Sequence, residues 1–124
     1  LFLLDVTTTD ATATPLLVNG DSALAVIARN KVGVYSYTVD ILAFRTGGTS
    51  GSGVPTDRTF LKLEGIVLGT IATETITTIA AVGTVVGWTA ATVFSGTDMS
   101  IKVTGAAAMD ITWQATARFN EMKL

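Results

Sequence analysis

The clearest regularity in the chain is a two-residue alternation close to its C-terminal end. Met109, Ile111, Trp113, Ala115, Ala117 and Phe119 alternate with Asp110, Thr112, Gln114, Thr116, Arg118 and Asn120. Successive side chains of a pleated strand point to opposite faces, so this period predicts a half-buried β-strand. Residues 100–104 alternate too, and the small residues 105–108 between the two segments predict a hairpin.

The same reading carries back along the chain. Residues 34–45 place Tyr35, Tyr37, Val39, Ile41 and Ala43 on one face and Val34, Ser36, Thr38, Asp40, Leu42 and Phe44 on the other. The second face turns apolar at its end, which predicts a strand running from one-sided into full cover. In residues 60–70, Leu61, Leu63 and Val67 point inward while Lys62 and Glu64 point out as a solvated pair. Residues 71–79 are Thr-laden and predict a strand with a polar face, and residues 2–9, apolar and then Thr-rich, suit an extended strand more than a helix. Asn19-Gly20-Asp21 is a turn signal, residues 23–28 predict a short buried strand, and residues 30–33 and 95–98 turn the chain again. Residues 46–57, TGGTSGSGVPTD, predict a flexible Gly/Ser loop. Short strands with turn signals every eight to twelve residues predict one all-β domain over residues 1–124, an antiparallel β-sandwich of jelly-roll-like character.

Composition adds a question about partners. The 124 residues are 48% hydrophobic and 15% charged, against about 25% charged in an average domain. No apolar run reaches the roughly 18 residues of a membrane helix, so no membrane insertion is expected and the surplus apolar surface predicts cover by further subunits. Net charge is −2, with single scattered charges, which gives no electrostatic footprint for nucleic acid. The chain opens LFLLDVTTTD without Met; a fragment boundary or processing site, with these residues at the C-terminal end of something longer, is the expectation.

Candidate chemistry is sparse. Cys and His are both absent, which removes thiol chemistry, the commonest general base and the commonest metal ligand. Asp40 and Glu64 are a conceivable carboxylate pair of the glycoside-cleaving kind, but single charges on strand faces are ordinary. No calcium-loop or phosphate-loop spacing occurs, so neither enzyme activity nor a cofactor or metal is expected. Among the aromatics, Trp88, Tyr35 and Tyr37 are candidates for stacking on a sugar or meeting a neighbouring subunit. Trp113 reads as core. Ala115, Ala117 and Phe119, with the small residues 106–108, are candidates for a close subunit interface or for ordinary core filling.

The order of these segments resembles the small β-domain near the C-terminus of many bacteriophage tail fibres and tailspikes. Residues 42–46, LAFRT, are similar to an "ARRT"-like strand end; residues 60–67, FLKLEGIV, to a "YKLEGLI"-like strand; and residues 88–121 to an ending with spaced Trp, Val, VTG, Ile-x-Trp, Arg and Glu. Thr112 stands where a basic residue is frequent, and Gln114 where an apolar one is. The resemblance covers nearly the whole chain. It implies a homotrimeric virion module at a fibre tip, in contact with other virion proteins, that takes part in attachment to the bacterial surface, often to polysaccharide. A capsid cement protein and a pilin-like subunit, the latter through the apolar residues 1–6, remain alternatives.

Overall fold

The computed structural model describes residues 2–18, 27–28, 33–50, 55–95 and 98–122. Its strands are β1 (Phe2–Thr8), β2 (Thr14–Pro15), β3 (Leu17–Val18), β4 (Ile27–Ala28), β5 (Val34–Gly48), β6 (Arg58–Leu68), β7 (Ile71–Val82), β8 (Thr89–Ser95), β9 (Asp98–Thr104) and β10 (Met109–Met122). The described residues contain no helix, and all pairings are antiparallel. A six-stranded sheet has the order β3-β1-β10-β5-β6-β7, and a second sheet is built around β9, which pairs with β2, β4 and β8. The all-β, two-sheet expectation therefore holds. Among the described residues the strands divide six and four, and β5, β6 and β7 run as a simple meander.

The alternation of β10 is met position by position. Met109, Ile111, Trp113, Ala115 and Ala117 are buried and Phe119 is half-buried, while the residues between them are exposed or half-exposed. The inward row of β5 is buried from Tyr35 to Ala43 and continues to Arg45. Opposite them, β9 contributes Met99, Ile101 and Val103, all buried, and Leu16 extends the β2 edge by donating its N–H to the Ile101 carbonyl at 2.8 Å. Each such aliphatic side chain taken fully from water contributes about 1.5–3 kcal/mol, so these faces set the stability of the domain.

Within the large sheet, wide and narrow side chains alternate across strands. Trp113 lies in register between Val6 of β1 and Ala43 of β5; Ala115 lies between Leu4 and Ile41, and Ala117 between Phe2 and Val39. Close packing requires small neighbours beside large ones. Trp113 is fully buried and donates its indole N–H to Thr8 Oγ1 at 2.9 Å, which satisfies the one polar atom the ring brings into the core.

Three local expectations change. β9 and β10 do not form a hairpin: they belong to different sheets. Ala108, at φ 56°, and the Met109 N–H to Ala106 carbonyl bond at 3.3 Å turn the chain from one sheet to the other. The loop of residues 46–57 is shorter than its composition suggests, because residues 46–48 continue β5. Arg45 donates to the carbonyls of Gly47 and Ser50, and backbone bonds join Arg45 to Thr56 and Asp57. The buried guanidinium thus anchors both ends of a segment whose centre, residues 51–54, lies outside the described residues. Thirdly, Leu42 and Phe44 are not covered, with 53% and 39% of their surface exposed. The turn at 19–21 and most of the strand expected over 23–28 also lie outside the described residues; only β4 is seen there. β1 pairs with β10 and β3 of its own chain, so donating this segment to another subunit, as the pilin-like alternative requires, means breaking those pairings.

Thr8→Val removes the acceptor of the Trp113 N–H without changing side-chain shape. It is expected to cost about 1–3 kcal/mol, the range for a buried donor left unsatisfied, seen as a lower urea midpoint at unchanged m value. A variant as stable as its parent would show that this bond carries no weight.

Candidate functional site

The aromatics that the sequence offers for surface contact are internal. Tyr35, Tyr37 and Trp88 keep only 6%, 3% and 6% of their surface, so none presents a stacking face in this conformation. Trp88 folds inward because Gly87, at φ 83°, takes up a left-handed turn that suits glycine. The ring then packs tilted on Trp113 with centroids 6.2 Å apart. Ala115 and Ala117 are buried by their own chain, and Phe119 stacks edge-on against Phe2 at 5.7 Å. These small residues make room for their cross-strand neighbours, and the surface they were expected to offer is the core side of β10.

Tyr37 instead belongs to a latch between the two sheets. Its ring lies over Gly65, where any Cβ would collide with the phenol and with the Thr73 carbonyl oxygen, a frequent reason for glycine inside a strand. The hydroxyl donates to Glu74 Oε1 at 2.9 Å, and Glu74 Oε2 accepts the Thr92 backbone N–H at 3.3 Å. Glu74 of β7 thereby ties the edge of the large sheet to β8.

The open face of the large sheet carries a sizeable depression that brings polar and apolar side chains together; a shallower hollow of about 390 Å³ lies beside Ser36, Thr38, Glu64 and Thr75. Two cross-strand rows build the larger one: Leu3, Thr116, Asp40 and Lys62, then Asp5, Gln114, Leu42 and Phe60. All of these except Lys62 line a hollow of about 570 Å³, within the roughly 300–1,000 Å³ of small-molecule sites. A smaller hollow of about 240 Å³ continues it past Leu42 and Gln114 to Phe44, Thr46 and Thr112. The Asp40 Oδ1 atom is shielded from solvent and has no hydrogen-bond partner among the described residues. Shielded polar atoms without a partner are uncommon, and each calls for an explanation; Trp88 Nε1 and Thr92 Oγ1 are the others among the described residues. Asp40 pairs in register with Lys62, and Glu64 with Thr38, so the two carboxylates stand diagonally on one face rather than directly opposite. Among the described residues no group of three or more His, Cys, Asp or Glu side chains is placed to hold a metal.

The hollow was legible only in part. Leu42 and Phe44 on an otherwise polar face were the signal, and it pointed to cover rather than to a groove. Asp5, Gln114, Thr116 and Phe60 come from three strands, and only their register with Asp40 and Leu42 of a fourth brings them together.

No protein-family model matches the sequence, and no curated protein matches it. Two solved structures show a likeness. The tailspike protein of Acinetobacter phage vB_ApiP_P1 aligns over 97% of this chain and 22% of its own, at 12% identity and a TM-score of 0.48. The tailspike of Acinetobacter baumannii phage AM24 aligns over 95% of this chain and 26% of its own, at 12% identity and a TM-score of 0.32. The chain thus spans about a quarter of the length of either. A likeness of this degree does not establish a family.

Burial, then the hydrogen bond to Glu74 and its negative charge, push the Tyr37 phenol well above its ordinary value. A raised folded-state value favours the neutral phenol, so this contribution is intact below the unfolded value of about 10 and is lost as pH rises beyond it. Stability is expected to fall above about pH 10, and Tyr37→Phe is expected to flatten that fall while lowering neutral-pH stability by about 1 kcal/mol. Identical alkaline profiles for the two proteins would contradict the latch.

Proposed function

We propose that this chain is a non-enzymatic structural module of a bacteriophage tail fibre or tailspike. It assembles with copies of itself on the virion and contributes to attachment by holding a neutral polysaccharide of the bacterial surface. The strand-by-strand resemblance of its sequence supports the phage tail reading, and the antiparallel two-sheet fold agrees with it. The observation that carries the attachment is the hollow between β1, β10, β5 and β6. It sets the acceptors Asp5 and Asp40, the amide of Gln114 and the hydroxyl of Thr116 beside the apolar Leu3, Leu42 and Phe60. A pyranose ring offers the matching chemistry: hydroxyl donors around its rim and an apolar C–H face. Two carboxylates in the lining disfavour an acidic sugar.

The test is a panel of purified capsular and O-antigen polysaccharides, neutral and acidic, probed with the protein and with Asp40→Asn and Phe60→Ala. The expected result is binding to a neutral polysaccharide, weakened at least about tenfold in each variant, the equivalent of about 1.4 kcal/mol. Binding that both variants retain, or that selects acidic polysaccharides, would overturn the site.

A further inference from the structure

We infer that copies of this chain meet through the β6–β7 hairpin, with the free edge and both faces of β7 as the contact. This rests on the reading of the chain as a self-assembling module and names the surface that does it. Every residue of β7 except Glu74 is exposed, although the strand is 12 residues long. Half of the large hydrophobic side chains exposed among the described residues lie on this hairpin: Ile66, Leu68, Ile71, Ile76, Ile79 and Val82. Ile71 is 81% exposed. The register puts Ile71 beside Leu68 on the open face, and Ile76 beside the buried Leu63 on the core face. The apolar surface therefore wraps around the edge instead of covering one side.

β7 is also the last strand of the six-stranded order, so one side of its backbone has no strand partner among the described residues. Edges of this length are ordinarily blunted by lysine, proline or extreme shortness. The opposite edge of the same sheet, β3, has two residues among those described, whereas β7 contains neither Lys, Arg nor Pro. Its single charge, Glu74, is engaged by Tyr37 and Thr92. A strand without free charge offers nothing to a polysaccharide polyanion, to nucleic acid or to a charged protein surface. What it complements is another uncharged, β-branched strand edge, and a second copy supplies one. β7 brings 11 exposed residues to the contact and β6 adds Arg58, Glu64, Ile66 and Leu68, approaching the roughly 20–30 residues a side of a standard interface.

The test is the mass of the full chain in solution by sedimentation equilibrium. The parent is expected at a multiple of the single-chain mass, and Ile71→Lys combined with Ile79→Lys at the single-chain mass. Val93→Lys, on β8 of the other sheet, is expected to leave the assembly unchanged. Because the chain has no cysteine, single Thr75→Cys and Thr77→Cys variants provide a readout that does not depend on folding of a lysine variant. Either is expected to form an interchain disulfide under mild oxidation, and Thr112→Cys on β10 is not. An assembly that persists in the lysine variant, without crosslinks through β7, overturns this surface but leaves self-assembly standing. A monomeric parent overturns both.

Discussion

The structure depends on one packing constraint: the inward rows of β10 and β5 must be covered on a single side, and β9 with β8 covers them. Trp113 is the centre of that contact. It fills the space between Val6 and Ala43 in its own sheet and meets Trp88 from the segment leading into β8. Thr8 accepts its N–H, so no polar atom of the ring opposes burial. Once this ring is placed, the small residues around it follow, because the same layer cannot hold a second wide side chain.

The constraint explains the division of surfaces. Cover reaches β1, β10, β5 and the inward side of β6, and stops there. Beyond β6 the second sheet is represented by β8 alone, tied across by Glu74, and the other residues of β7 are left exposed on both faces. The open face of the large sheet is likewise free, and it carries the hollow around Asp40. One chain thus closes its core on one side and leaves two uncovered surfaces of different chemistry. The hollow mixes acceptors with apolar side chains, while β7 is apolar and hydroxylated, its one charge, Glu74, engaged by Tyr37 and Thr92.

How much of this could be read from the sequence follows from what alternation encodes. The period of two sorts inward from outward residues, and on β5, β6 and β10 it did so residue by residue. It does not say which strands pair. β9 and β10 look like a hairpin from their spacing, yet residues 105–108 carry the chain between sheets. Nor does it give depth. Tyr35 and Tyr37 alternate as well as any strand residues, but only the position of β5 beside β10, under the second sheet, decides that their rings are core. Trp88 had no alternation to place it, and its burial depends on the turn at Gly87. The hollow needed register across four strands, information that no single segment holds. The hairpin is the reverse case: a Thr- and Ile-rich strand was legible, but a polar outer face implied an inner one, and on β7 only Glu74 is engaged from beneath.

Residue-resolved amide hydrogen exchange tests the central packing claim most directly. If β10 and β5 are the layer on which the rest is built, their paired amides, including those of Trp113 and Ala43, exchange slowest and open only with global unfolding. Exchange across β10 as fast as in the exposed segment around Val86 would contradict the account.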